Sequence, residues 1–147
     1  MRKFLILILL VSIANVNAAT ITFTESFKRL VNNHRLTKGL QPLDFEYDLN
    51  TIARTHSSNM ASGKISFGHS GFSNRCSQGF QQLGGGTSCG ENVAYGQATA
   101  RAVFTSWMNS SGHRANIESR RYTHTGMGYK KNVNGVFYWT QIFFESR

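Results

Sequence analysis

Between residues 24 and 110 the apolar positions recur mostly at helical spacing, and after residue 120 they crowd into two short blocks. Phe27, Leu30, Val31 and His34 share one face of a helix that Thr24 is placed to cap and that stops near Gly39. Leu49, Ile52, Ala53, His56 and Met60 repeat the pattern, with Asp48 at the cap and Gly63 at the stop. Behind Thr99, the residues Ala100, Val103, Phe104, Trp107 and Met108 form a third stripe. Ser111-Gly112 breaks it, and Ala115-Asn116-Ile117 forms a short helical turn. Pro42-Leu43 is extended, and Ser77–Ser88 reads as a Gly-rich loop with little apolar periodicity. Tyr122–Lys130 and Val136–Phe144 carry the aromatic and β-branched content of strands, joined by an Asn134-Gly135 hairpin signal. A shorter strand covers Asn92–Tyr95. Helices first and a hairpin last predict an α+β fold with a mostly antiparallel sheet.

Composition narrows this further. The 147 residues contain one proline, Pro42, and no linker, repeat or long charge run, which predicts one domain. A hydrophobic content of 40% and an aromatic content of 12% exclude an intrinsically disordered chain. Two cysteines are too few for a disulfide-dense scaffold or a four-cysteine zinc site.

Met1-Arg2-Lys3, the apolar run Phe4–Ile13 and then Val16-Asn17-Ala18 have the three-part layout of a secretory signal peptide. The competing reading, an uncleaved membrane anchor, needs a longer apolar run than this one. Residues 1–18 are therefore expected to be removed, leaving 19–147 as a secreted, extracellular domain without stable membrane insertion. Its net charge falls from +9 to +7 because Arg2 and Lys3 leave. In an oxidising compartment Cys76 and Cys89 are expected to pair, closing the Gly-rich loop for about 3 kcal/mol in the chain-entropy picture. A reactive thiol is the alternative, but there is no CxxC pattern and Arg75 is the basic neighbour. The cations are scattered, with short pairs at Arg120-Arg121 and Lys130-Lys131. That dispersal does not suit a nucleic-acid binder, whereas a basic surface favours anionic lipids or cell-wall polymers.

Candidate chemistry sits in three short motifs: Gly68-His69-Ser70, Gly90-Glu91-Asn92 and Gly112-His113-Arg114. In each, a glycine before the ionisable residue allows a tight turn at an element boundary and fixes the next side chain's direction. Two imidazoles and a carboxylate suit a zinc site with an open position. They equally suit a metal-free network in which Glu91 orients one histidine, and spacing leaves both open. Ser70 and Ser110 lie near histidines, but no GxSxG elbow or nucleophile–base pair is visible. His56 reads as a core or boundary histidine, His34 and His124 as solvated or structural, and Asn92 as a loop-fixing hydrogen bonder. Asn109-Ser110-Ser111 fits a glycosylation acceptor, with an unmodified helix-end asparagine as the plain alternative.

Several separated motifs in one order carry a family resemblance. They are His56-Ser57-Ser58-Asn59-Met60-Ala61, Gly68-His69-Ser70, Gly90-Glu91-Asn92-Val93-Ala94-Tyr95-Gly96 and Trp107-Met108-Asn109-Ser110-Ser111-Gly112-His113-Arg114-Ala115-Asn116-Ile117. Tyr122-Thr123, Gly126-Met127-Gly128 and Tyr138-Trp139-Thr140-Gln141-Ile142-Phe143 complete the series. The whole resembles the SCP-like domain of the CAP superfamily, which includes cysteine-rich secretory proteins, insect venom allergen antigens and plant pathogenesis-related proteins. Its Ser-Gly-His-Arg-Ala-Asn-Ile form is similar to the compact branch.

The resemblance implies a three-layer α-β-α sandwich with a cleft holding two histidines and two acids. On matching positions it places His69, Glu91 and His113 in that cleft. Ser110 and Ser111 stand where the longer branch has its second acid, and Glu118 does not match the motif. Some members bind a divalent cation such as zinc through the two histidines, which implies His69 and His113 as the metal pair. One expected function is a secreted binding or interaction protein acting in defence, competition or host contact, with lipid or sterol capture known for some members. The alternative is a metal-assisted, protease-like hydrolase in which a cation on His69 and His113 activates water and Glu91 serves as general base.

Overall fold

A computed structural model describes residues 22–146; the signal peptide read at 1–18 lies outside them. The first helix, α1 (Phe23–Thr37), is capped by Thr22, whose hydroxyl accepts from the Glu25 backbone N–H at 3.2 Å. Thr24 therefore lies inside the helix, because Phe23 is drawn onto the sheet, its ring 5.3–5.7 Å from those of Tyr129, Phe137 and Trp139. Asp48 is likewise a first-turn residue of α2 (Tyr47–Ala61), not its cap. The short strand β1 (Asp44–Phe45) ends immediately before α2, and Glu46 at the junction donates its N–H to Thr125 O at 3.1 Å. Thr99 caps α4 (Ala100–Met108) as expected, its hydroxyl accepting from the Ala102 N–H at 3.1 Å. Ser111-Gly112 does not end that helix, which stops at Met108 with Asn109 as its cap; it forms the first turn of the next helix, α5 (Ser111–Ile117).

The larger correction concerns the expected Gly-rich loop. Helix α3 (Phe72–Gln82) runs through it, leaving a short connection to β2 (Ser88–Tyr95). Cys76 on α3 and Cys89 on β2 form the disulfide, with Cα atoms 5.9 Å apart. The bridge thus ties a helix to a strand.

The remaining strands are β3 (His124–Lys131) and β4 (Phe137–Glu145). The sheet order is β1-β3-β4-β2, with β1 parallel to β3 and the other pairings antiparallel. The β3–β4 turn is longer than a two-residue Asn-Gly turn. Gly135 adopts a positive φ of 80°, Asn134 does not, and Asn132 Oδ1 accepts from Asn134 N–H and Val136 N–H.

The central strand β4 is buried on both faces, which explains its continuous apolar run. On one face Trp139 and Phe143 meet Phe27, Val31, Val103, Trp107 and Ile117 from α1, α4 and α5. On the other, Ile142 and Phe144 meet Leu49 and Ala53 from α2, flanked by Phe80 of α3. The result is the three-layer α-β-α sandwich. Helix α2 lies close on β3 because Gly128 has no side chain: a Cβ there would collide with the backbone of Ala53 and Arg54. Ser57 Oγ closes this contact by donating to Gly128 O, 3.1 Å away. A second bolt is Arg35, which the helical stripe did not predict to be buried. Its guanidinium donates to Gln41 O, Ile117 O and Ser119 O at 2.7–2.9 Å, fixing the segment after α5.

Candidate functional site

The edge strand β2 places successive side chains on opposite faces of the sheet. Glu91 turns toward α3. Its carboxylate is almost fully buried and engaged on both oxygens, with Arg75 Nε donating to Oε2 at 2.6 Å and Arg75 Nη2 to Oε1 at 2.8 Å. His69 Nδ1–H also donates to Oε1 at 2.8 Å. Arg75 is held in turn by Ser70 O at 2.7 Å. The loop before His69 is fixed by His56, which donates Nε2–H to Gly68 O at 2.8 Å. Burial lowers the His56 pKa, so this core histidine is neutral.

With Nδ1 committed to Glu91, His69 presents Nε2 outward from a side chain that is 52% exposed. Such a carboxylate–imidazole contact sets both tautomer and ring direction. Two residues earlier in the chain, Phe67 begins an aromatic group. Phe67 is 46% exposed and Tyr95 55%, with their rings 4.8 Å apart, and Tyr95 stacks on Tyr138 at 5.8 Å.

Asn92 turns the other way, toward α5. Fully buried, it donates Nδ2–H to His113 O at 3.0 Å and accepts from Asn116 Nδ2 at 2.8 Å. Asn116 Nδ2 and Trp107 Nε1 also reach Glu91 O and Val93 O, at 3.3 Å each. These contacts occupy carbonyls that a strand edge would otherwise leave open. His113 is positioned through its carbonyl, while its half-buried ring lies 6.2 Å from that of Trp107. Burial lowers its pKa, and the electrostatic influence of nearby His69 lowers it further.

The geometry also tests the metal expectation. Among the described residues no three His, Cys, Asp or Glu side chains gather into a metal-holding group. Glu91 stands behind His69 as an orienting carboxylate, and what remains is two imidazoles. That falls short of the three or four protein ligands of zinc sites, so no chemical step is derived through a metal.

The profile described as CAP, the cysteine-rich secretory protein family, matches residues 28–143. The chain belongs to this family. It is 38% identical over 127 residues to the protein named "Uncharacterized protein YkwD" of Bacillus subtilis, covering 82% of this chain and 46% of that one. An extracellular protein of Bacillus anthracis containing an SCP domain superimposes with a TM-score of 0.73 at 25% identity, over 84% of this chain and 40% of that one. An outer surface protein of Borrelia burgdorferi gives 0.71 at 15% identity, over 85% of this chain and 93% of that one. The chain thus spans less than half the length of the first two relatives.

Within this CAP domain, the three residues read from sequence divide into two environments. His69 and Glu91 are in direct contact, whereas His113 joins them from the opposite layer through the Asn92–Asn116 amides. Glu118 is accounted for elsewhere, in a 2.8 Å pair with His34. The glycines preceding the three residues differ as well: Gly68 has a φ of 142°, but Gly90 lies inside β2 and Gly112 inside α5, neither at positive φ. Sequence reasoning missed Arg75 and Asn116. For Arg75 a signal was present, since a Cys76–Cys89 bridge brings residues 75 and 91 near each other. Asn109 is exposed at the end of α4. Among the described residues no helix is long and apolar enough to cross a membrane.

Proposed function

We propose that this CAP domain is a secreted binding protein that acts outside the cell by contact, through the surface formed by His69, Phe67, Tyr95 and Tyr138. In this reading residues 1–18 are the export signal and 19–147 the exported domain. The observation that carries the proposal is an imidazole with a fixed direction two residues after Phe67, whose exposed ring packs on that of the exposed Tyr95. Rings that burial does not explain mark a contact surface, and tyrosines supply both apolar area and a hydroxyl. A general base needs an oxygen available to the reacting proton, and both oxygens of Glu91 are engaged by Arg75 and His69. This favours recognition over hydrolysis. The partners that fit are a lipid or sterol, or an anionic component of a cell surface.

Wild-type protein and the variants His69→Ala and Tyr95→Ser are immobilised and challenged with sterols, fatty acids and anionic cell-wall polymers. One of these classes is expected to be retained by the wild type and held about tenfold less tightly by each variant. Equal retention by all three proteins overturns the reading. So does time-dependent cleavage of casein that is lost in Glu91→Gln, which instead supports the hydrolase.

A further inference from the structure

We propose a second ligand site, distinct from the β2 surface, that takes an organic phosphate. It is a cavity of about 480 Å³ between the start of α2 and the β3–β4 hairpin. That volume lies in the range of small-molecule sites. No residue lining it belongs to the His69–Glu91–His113 region, and β3 lies two strands away from β2 in the sheet.

The charge around the cavity is one-sided. Arg54, Lys130 and Lys131 line it, and none of its lining residues is Asp or Glu. Among the described residues none of these three cations forms an ion pair. The close seat of α2 on Gly128 brings Arg54 to β3, so the fold itself gathers these charges. Unpaired cations around one concavity focus a positive field that an anion relieves. A phosphate monoester carries about −1.5 to −2 at neutral pH, which matches this group better than a single carboxylate does.

The walls add a preference for what the phosphate is attached to. Tyr47 is 76% exposed, and Tyr129 and Phe137 stand with ring centroids 6.0 Å apart. Lys131 Nζ lies 4.6 Å from the Phe137 centroid, which places charge and ring side by side. A ligand with a ring or apolar body and a terminal phosphate satisfies both features. A soluble phosphate ester and an anionic lipid headgroup share that chemistry.

The test titrates phenyl phosphate and inorganic phosphate into the ¹⁵N-labelled protein, with phosphatidylcholine vesicles with and without phosphatidic acid as a separate arm. Amide shifts are expected around Tyr47, Arg54 and Lys130, with phenyl phosphate binding more tightly than inorganic phosphate. Lys130→Gln/Lys131→Gln is expected to weaken phenyl phosphate about tenfold and Tyr47→Ser about threefold. Arg120→Gln/Arg121→Gln removes the same charge elsewhere and is expected to leave the affinity within about twofold. Phenyl phosphate binding alone identifies a soluble ester as the source. Additional vesicle binding that needs phosphatidic acid and both lysines identifies a lipid headgroup. The proposal is overturned by equal weakening in the two double variants, or by wild type that binds neither probe.

Discussion

Glu91 and Asn92 are neighbours on one strand, yet they organise the site by different means. Glu91 is a buried charge balanced by the bidentate guanidinium of Arg75 and by the His69 ring. Asn92 is a buried neutral amide that grips the His113 backbone and Asn116. The consequence for the two histidines differs. His69 is held by its imidazole, so its outward nitrogen has a set direction. His113 is held by its carbonyl, which places the residue without directing the ring. One half of the site therefore depends on charge balance, and the other on neutral hydrogen bonds.

The sharpest way to break this comparison is Arg75→Ala. It leaves the Glu91 carboxylate, whose side chain is 1% exposed, without its principal counter-charge. Removing one member of a buried pair costs about 3–5 kcal/mol, so urea denaturation is expected to show a loss of that size. Adding Glu91→Gln to Arg75→Ala removes the orphaned charge and is expected to recover part of the loss. An unimproved double variant would show that the Arg75 contacts with the Ser70 and His69 carbonyls matter more than the ion pair.

The Asn92 half predicts a smaller effect because no charge is stranded. Asn92→Ala removes the bonds to His113 O and Asn116 Nδ2; Asn116 Nδ2 keeps Glu91 O, so His113 O is the part-buried group left unpaired, and the loss is expected to be about 1 kcal/mol. Imidazole nitrogen spectra distinguish the halves. The His113 resonances are expected to move in Asn92→Ala, while the His69 Nδ1 signal keeps its hydrogen-bonded position. Movement of both rings would show that the two halves act as one network through Asn116, which touches Asn92 and the Glu91 carbonyl.

The sequence was most legible where burial follows period. The stripes of α1, α2 and α4 and the two long strands were read from apolar spacing, and their ends shifted by a few residues where tertiary contacts intervened. Phe23 moved the start of α1, and the β1 pairing set the start of α2. Helix α3 escaped because its fully buried positions are Arg75 and Gly79, while Phe72, Cys76 and Phe80, which do recur at helical spacing, are only half-buried among polar residues and glycines. Arg75 is buried on the strength of an ion pair with a residue sixteen positions away, a long-range relation that local periodicity does not encode. The His69–Glu91 contact was anticipated as one of two open alternatives, a histidine oriented by an acid. The separation of His113 onto the other layer was hidden, because it depends on the alternation of side chains along β2.

The smallest expected effect tests whether the halves communicate through charge. Burial is the larger cause of the lowered His113 pKa, and the electrostatic influence of His69 is the smaller one. In a proton NMR titration His113 is therefore expected to titrate below the ordinary imidazole value of about 6.5. In His69→Ala it should rise toward that value but remain below it, because the burial cause persists. The stability consequence has a definite sign. With the folded pKa lowered, the unfolded chain takes up the proton first, so stability falls as pH drops below about 6.5. The fall levels off once pH passes below the lowered folded value. His56, also lowered chiefly by burial, contributes with the same sign. An unchanged His113 titration in His69→Ala would show that the two rings are electrically independent. The comparison between the Glu91 and Asn92 sides would then be one of two separate structures meeting at a single strand.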